Sequence, residues 1–337
     1  MAFCGDGGTI KQMLPSDSAP VHDTSATPSS PFPPADKLRI GFVGAGRLGK
    51  ALAWSLARAG LSVTAVASVT LTSARALAAP IPGCVTTEAQ VVVDGCDLVF
   101  ITTPDGAIAT TTAALRWRSG MAAVHCSGVT EVDALQAARD QGACIGGFHP
   151  MQTFGDPAAA VASLPGSTIT IEAEEPLNAT LVALAGQLDC RVNRLPPGMR
   201  ARYHASAGFT SQFINALFAE AARVWESWGA TEAEALQAML PMARGTLASI
   251  ASAGIARGMP GPVSRGDVGS VEKHVAALAG LSEHSLDFYR TLCASTIPLA
   301  LERGSINEDT ARRLRQVLES KPVAHADIST AKSERTA

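Results

Sequence analysis

Apolar and polar positions along the chain follow one rhythm up to about residue 195 and another beyond it. In the first part, short apolar runs recur at 38–43, 61–68, 98–102, 122–125, 143–148, 167–173 and 190–195. Runs of this length, rich in Val, Ile and Ala and bounded by Gly, Pro or polar residues, predict buried strands. Between the first two, Lys50 to Ala59 carries apolar residues at helical spacing and meets Gly60, a residue suited to a helix C-cap. Strands alternating with helices predict an α/β, doubly wound domain. In the second part the period is helical. The segment 200–229 predicts one long helix ending at Gly229, and 282–303 and 307–319 predict two more. Residues 282–303 are apolar around much of the helix circumference, as expected of a helix buried against other helices or a second subunit.

Both ends break the pattern. "SDSAPVHDTSATPSSPFPPADK" and "SKPVAHADISTAKSERTA" are rich in Pro, Ser, Thr and Asp and poor in apolar residues, a composition that predicts disorder. The expected organisation is a disordered tail over 1–37, a dinucleotide-binding domain over 38–195, a helical domain over 196–319 and a second tail over 320–337. With 337 residues, 47% hydrophobic and 17% charged, the chain has the material for two packed domains. No stretch reaches the roughly 18 uninterrupted apolar residues of a membrane span. Residues 1–36 show no basic start followed by an apolar block, so no secretory signal is expected. A net charge of -3 without a basic stripe argues against a nucleic-acid partner. The seven cysteines are odd in number, widely spaced and free of C-x-x-C, which fits reduced thiols in a cytoplasm. No His, Cys and carboxylate set has metal-ligand spacing, so no metal is expected.

Candidate chemistry begins at "GFVGAGRLG". Gly44, Ala45, Gly46, Arg47, Leu48 and Gly49 follow a strand and open a helix, the context in which G-x-G-x-x-G reads as a dinucleotide-binding turn. The pyrophosphate is expected over the helix N-terminus, where free N–H groups and the helix dipole favour negative charge. The second strand ends in Ser68, and no acidic residue lies between Asp36 and Glu88 to take a ribose 2′-hydroxyl. Ser68, Thr70, Ser73 and Arg75 offer contacts to a 2′-phosphate, though Ser73 reads equally as a helix N-cap and Arg75 as a solvated side chain. NADP is therefore expected over NAD.

Ligands of open α/β sheets lie beyond the carboxyl ends of the strands. There the sequence places Thr103 and Pro104, with Asp105 as a helix cap; then His125, Cys126, Ser127 and Gly128; then "GGFHPMQTF" with His149 and Gln152. His125 and Cys126 are neighbours on a strand and face opposite ways, which argues against a Cys–His nucleophile. Ser127, His149 and Gln152 are the candidates for contact with substrate or cofactor.

Together, "GFVGAGRLG", "LVFITTPDGAI", "VHCSG", "HPMQTF", "YHASAGFTSQF" and "GPVSRGDVGSVEKH" resemble a family of Rossmann-like oxidoreductases with a C-terminal helical domain of uncharacterised type. That family is related to the pyrroline-5-carboxylate reductases, the deazaflavin-dependent NADP reductases and the 6-phosphogluconate dehydrogenase-like enzymes. The resemblance spans about residues 38–280 in order. It implies a Rossmann domain followed by an all-helical domain like the C-terminal one of 6-phosphogluconate dehydrogenase, an active cleft between the two, a small-molecule substrate and dimerisation through the helical domain. Two positions depart from the family pattern: Gln212 stands where the family has an Asn, and Val69 where an Arg often follows the Ser of the second strand.

On a 3.6-residue repeat His204, Gly208, Ser211 and Asn215 share one face of the helix expected over 200–229, a polar stripe that reads as a cleft wall. Reduction of a carbonyl needs a hydride donor and a general acid. Related hydroxyacid dehydrogenases take that acid from a lysine, but between Gly60 and Arg315 this chain has only Lys273. His204 is the candidate acid, with Ser127 and Gln212 beside it in the catalytic set. Ser211, Arg265, Asp267 and His274 join His149 and Gln152 as candidate substrate contacts. Arg265 is suited to a carboxylate, while an Arg265–Asp267 pair that stiffens its loop is the structural alternative. The expected reaction is hydride transfer from NADPH to a small carboxylate-bearing carbonyl compound, a 2-oxo acid such as ketopantoate. An imine reductase, a deazaflavin-dependent reductase and a non-enzymatic NADP sensor are the alternatives.

Overall fold

The structure, a computed structural model, describes residues 32–320. Eight strands form one sheet: β1 (Ile40–Val43), β2 (Val63–Ala67), β3 (Val85–Thr86), β4 (Leu98–Ile101), β5 (Ala122–His125), β6 (Cys144–Pro150), β7 (Thr168–Ala173) and β8 (Arg191–Arg194). Their order is β3-β2-β1-β4-β5-β6-β7-β8. All neighbours are parallel except β6 and β7. The first six strands thus follow the doubly wound order in which the chain reverses direction across the sheet between β1 and β4, leaving a crevice at their carboxyl ends. Seven of the strands lie where the apolar runs predict them. The two-residue edge strand β3 carries no run of its own.

Alternation along the central strands sends residues to two cores. Phe42, Phe100, Val124 and Phe148 join one buried cluster, and Val43, Val99, Ile101, Ala123 and Ile145 join the other. Phe42 and Phe100 are register partners on β1 and β4 with ring centroids 5.2 Å apart, and Phe148 follows at 5.6 Å from Phe100. The helix after β1 runs Arg47–Arg58. It ends as the sequence predicts, with Gly60 at φ +82° and the Gly60 and Leu61 N–H groups returning to the Ala57 and Leu56 carbonyls.

Two expectations need correction. Residues 32–37 are not tail: Phe32 is buried in the first core and Ala35–Lys37 forms a 3-10 turn, because an aromatic side chain there finds apolar surface to cover. The rest of the expected tails, 1–31 and 321–337, lies outside the described residues. The helix expected over 200–229 is two helices, Arg200–Phe209 and Gln212–Glu226. At the break the Thr210 and Ser211 hydroxyls both donate to the Ala207 carbonyl, and the Ser211 backbone leaves helical geometry at φ −128°, ψ −91°. A single helical face through His204, Gly208, Ser211 and Asn215 therefore does not exist.

The described residues form two compact units that divide between His204 and Ala205. The second is all helical. Val263, Val268, Val271, Val275, Leu286, Cys293, Ile297, Ala300, Ala311, Leu314 and Leu318 form its main core. Apart from it, the helix Glu232–Ala253, opened by a Thr231–Glu234 capping box, packs on Gln212–Glu226 through Ala222, Ala235 and Met239.

The aromatic stack at the centre of the sheet sets the first test. Phe100→Ala is expected to destabilise the protein by about 3–5 kcal/mol in equilibrium urea unfolding, because the ring touches aromatic neighbours on both sides and the site cannot collapse. A loss below about 1 kcal/mol would show the stack to be peripheral to the fold.

Candidate functional site

At the carboxyl ends of β1, β2 and β4 a cavity of about 1420 Å³ opens. Gly44, Ala45, Gly46, Arg47 and Leu48 line one side, with Ser68, Val69, Leu71 and Ser73 after β2 and Thr102, Thr103 and Pro104 after β4. The glycines of the turn serve distinct purposes. Gly44 sits at φ +112°, and a Cβ there would come 2.5 Å from the Thr102 backbone. Gly46 faces open space, so a ligand can approach its backbone. Gly49 does not line the cavity; a Cβ there would lie 2.7 Å from the Thr102 hydroxyl, which donates to the Gly44 carbonyl at 2.8 Å. It is the residue that lets helix and strand close on each other. Thr103 presents a buried hydroxyl oxygen with no hydrogen-bond partner among the described residues. An unpaired buried hydroxyl and an open glycine cradle at a helix N-terminus fit a dinucleotide. Arg75 is exposed and does not line the cavity, whereas Ser68 and Ser73 do. Asp105 begins a 3-10 turn and makes no side-chain cap bond, contrary to its expected role.

A second set of groups gathers at the ends of β5 and β6. His125 ends β5, fully buried, and its Nδ1 accepts the Ser127 N–H at 3.2 Å. Cys126 lies in the apolar core, where burial pushes its thiol pKa far up, so it is no nucleophile at neutral pH. The Ser127 hydroxyl accepts the Val129 and Thr130 N–H groups and pairs with the Thr130 hydroxyl at 2.9 Å. Those bonds hold the Ser127 hydroxyl within a tight turn. His149, on β6, pairs through Nδ1 with the Tyr203 hydroxyl at 2.7 Å, and its ring centroid lies 6.0 Å from that of His204. Gly128 separates the two rings: a Cβ there would come 2.5 Å from His204 Cδ2 and 2.8 Å from His149 Nε2. Gln152 turns away, donating to the Ser163 carbonyl at 3.0 Å and accepting the Thr153 N–H at 2.8 Å, so it shapes the loop that brings Thr153, Phe154 and Gly155 to the cavity wall.

The remaining candidates belong to the second unit. Ser211 and Gln212 flank the helix break, where the Ser211 hydroxyl is held by Ala207. Asp267 caps the helix Val268–Ala279 by accepting from the Ser270 N–H and hydroxyl, bonds that hold its carboxyl below the usual range. Arg265 is exposed and forms no ion pair with Asp267 within 4 Å. His274 pairs with the Tyr289 hydroxyl at 2.8 Å on the edge of an apolar pocket lined by Leu217, Val224, Trp225 and Phe288. Asp267 is thus occupied by Ser270 and His274 by Tyr289, while Arg265 is exposed.

Two domain families match the chain in succession. A Rossmann-like domain matches residues 25–150, and a domain of unknown function, DUF2520, matches residues 167–296. Together the two matches take in most of the described residues. No curated protein matches it. Its fold is similar to that of a provisionally assigned NADP oxidoreductase of Bacteroides fragilis, at 25% identity and a TM-score of 0.62 over 78% of this chain and 99% of the other. It is similar also to protein TM1727 of Thermotoga maritima, at 22% identity and a TM-score of 0.64 over 79% and 99% of the two chains. A pyrroline carboxylate reductase of Plasmodium falciparum, solved with NADP bound, shares the fold at 12% identity and a TM-score of 0.52 over 80% and 98%.

Sequence reading misses Arg200, Glu172 and Tyr203. Arg200 is fully buried, with Nε donating to Glu172 at 2.6 Å and Nη1 to the Ser127 carbonyl at 2.8 Å. At the start of a helix an arginine reads as solvated. The signal that points inward is "GG" before Phe148, since a Cβ on Gly147 would come 1.7 Å from Arg200 Nη2.

Burial, and behind it the Arg200 charge, pushes His125 down from 6.5 to about 3; burial, then His204 and Arg200, pushes His149 down from 6.5 to about 4. Both are neutral at pH 7. Below pH 6.5 the unfolded chain takes up protons that the folded chain refuses, so stability falls as pH drops from 6.5 towards 4. The expected loss over that window is on the order of 2–3 kcal/mol per histidine, read from urea unfolding at pH 7 and pH 4.5. In His125→Gln the slope with pH should shrink; an unchanged slope would mean that His125 does not titrate between the two states.

Proposed function

We propose that this protein is an NADPH-dependent reductase that transfers a hydride to a small carbonyl compound of the 2-oxo acid type. The observation that carries the reading is the cavity at the ends of β1, β2 and β4, with its glycine cradle and the unpaired Thr103 hydroxyl. Similarity to the NADP oxidoreductase of Bacteroides fragilis supports it, as does the reductase fold solved with NADP. Gly44 to Leu48 would hold the pyrophosphate, and Thr103 and Pro104 would border the nicotinamide half. Ser68 and Ser73 suit a 2′-phosphate, since β2 itself ends without the carboxylate that would take a ribose 2′-hydroxyl; Glu88, after β3, also lines the cavity. When bound, NADPH supplies the hydride.

The chain's own groups handle the proton. His204 is exposed at the edge of the histidine pair and can give a proton to the oxygen that becomes an alkoxide. His149, neutral, cannot. A C=N substrate is the second reading, favoured by the likeness to a pyrroline carboxylate reductase. An iminium already carries its proton, so that reaction would ask little of His204.

One experiment separates these readings. The purified protein is titrated with NADPH and NADH by nicotinamide fluorescence, and NADPH oxidation is followed with a panel of 2-oxo acids and cyclic imines. NADPH is expected to bind more tightly, and Gly44→Ala to weaken it at least tenfold through strain and collision with Thr102. For a carbonyl substrate His204→Ala should lower kcat by about 10²–10⁴; a kcat within a few-fold of the parent, on an imine, would favour the second reading. Binding of neither nucleotide would sink both.

We propose further that the protein is a cytoplasmic homodimer. Leu240, Met242, Leu247 and Ile250 are exposed on the helix Glu232–Ala253, more apolar surface than a lone helix in water usually shows. The six described cysteines are free, which suits a reducing compartment, and no helix among the described residues is long and apolar enough to cross a membrane. Sedimentation equilibrium is expected to give twice the chain mass, and Leu247→Glu with Ile250→Glu to shift it towards the monomer. A monomer for the parent chain at micromolar concentration would refute the dimer.

A further inference from the structure

The cavity at the carboxyl edge changes chemistry from its centre outwards. The strands run β1, β2, β3 towards one edge of the sheet, and each strand end brings different groups to the wall. After β1 comes the glycine cradle. After β2 come Ser68, Val69, Leu71 and Ser73, and after β3 come Thr87 and Glu88. The two outer strand ends are held side by side. Val66 and Thr86 are register partners, and the Thr87 N–H donates to the Val66 carbonyl at 3.0 Å. Ser68 and Glu88 each follow that paired row by two residues.

The side chains at this outer corner have no structural use. Glu88 is exposed and precedes the helix Ala89–Gly95 without a side-chain cap bond, and its carboxylate pairs with no group among the described residues. It is also the one carboxylate on the cavity wall among those residues. Val69 is fully exposed and Leu71 more than half exposed, so both line the cavity without filling a core. Apolar walls with a single placed polar group are the usual make-up of a small-molecule site. A flat ring with an amine on its edge suits this corner: the ring covers the apolar side chains, and the amine meets the carboxylate. A carboxylate only accepts, so it favours an amine and repels a ring carbonyl at the same place.

The order of the groups points to one ligand. From the cradle outwards they run phosphate-binding backbone, hydroxyls, then an apolar corner with a carboxylate. The adenosine half of a dinucleotide runs phosphate, ribose, base. Two strand spacings are about 10 Å, the scale of a nucleoside laid out from its phosphate to its base.

We propose that the outer corner of the cavity is a base site selective for adenine, in which Val69 and Leu71 cover the ring and Glu88 accepts a hydrogen bond from its exocyclic amine. This rests on the nucleotide-binding part of the reductase reading and adds to it the residue that sets base specificity. The base and the 2′-phosphate leave adjacent ribose carbons in different directions. Hydroxyls at Ser68 and Ser73 and a carboxylate at Glu88 therefore serve one nucleotide without conflict.

The test uses NADPH, NADH and the hypoxanthine analogue of each, in which a ring carbonyl replaces the amine. Each is titrated into the full-length protein by nicotinamide fluorescence, with no substrate present. The parent should bind each adenine nucleotide about tenfold more tightly than its analogue, the scale of one solvent-exposed hydrogen bond to a charged group. That preference should be the same with and without the 2′-phosphate. In Glu88→Gln the amide both accepts and donates, so the preference should fall to within about twofold. Glu88 is exposed and unpaired, so this substitution leaves the fold intact. Val69→Ser with Leu71→Ser should weaken both members of each pair alike, by about five- to tenfold. A parent indifferent to the base, or a preference that survives Glu88→Gln, would overturn the proposal. So would a Glu88→Gln variant in which only the NADPH-to-NADH ratio moves, since the carboxylate would then face the 2′-phosphate. In those outcomes nucleotide still binds and the reductase reading stands, whereas binding of none of the four would end both.

Discussion

The buried guanidinium of Arg200 is the interaction on which the rest of the histidine site depends. It has no exposed surface, pairs with Glu172 on β7, donates to the Ser127 carbonyl after β5 and lies over Gly147 on β6. Its own backbone N–H, and that of Gly198, reach Glu131. Taking such an ion pair out of water costs several kcal/mol before its mutual attraction is counted, and a well-packed apolar set often does as well for stability alone. Burial even outweighs the attraction at Glu172, whose carboxyl is pushed up despite its partner. What the pair supplies is geometry. It roots the helix Arg200–Phe209 to three strands, and Tyr203 and His204 are the next turn of that helix.

The carboxyl edge of the sheet is thereby used twice. Around β1, β2 and β4 it is built of glycine, small hydroxyl residues and backbone, which suits a phosphate-bearing ligand that needs room and N–H donors. Around β5 and β6 it is built of imidazoles, a phenol and a buried cation. The loop after β6 joins the halves: His149 faces Gly128, while Thr153, Phe154 and Gly155 reach the cavity. "HPMQTF" reads in sequence as one polar cluster, and in space its members serve the two halves separately.

How much of this was legible in the sequence follows from how local each feature is. The glycine turn, the strand ends and Gly60 are set by residues within a few positions of one another, and the structure has them where the pattern puts them. The break at Thr210–Ser211 is equally local but invisible to periodicity, because two hydroxyls returning to one carbonyl leave the apolar spacing intact. Ser127 and Gln152 mark the right rim of the sheet, yet which way their polar atoms turn depends on Thr130 and Ser163. Arg200 and the row of register partners His149, Thr170 and Asn193 depend on strand register across β6, β7 and β8, and register is not written in any one segment.

Charge then acts on the buried histidines as well. Arg200 is a fixed cation in a medium that screens poorly, and it adds to burial in keeping His125 and His149 unprotonated. A second imidazolium beside Arg200 would face both that charge and a desolvation cost. Among the clustered histidines, His204 is the exposed one. The same cation that anchors the helix thus adds, behind burial, to what keeps two of its neighbours neutral. Moving the guanidinium outward would loosen Tyr203 and His204 and, at the same time, remove one of the causes that keep His125 and His149 unprotonated. Geometry at this site rests on one buried charge, and protonation on burial together with that charge.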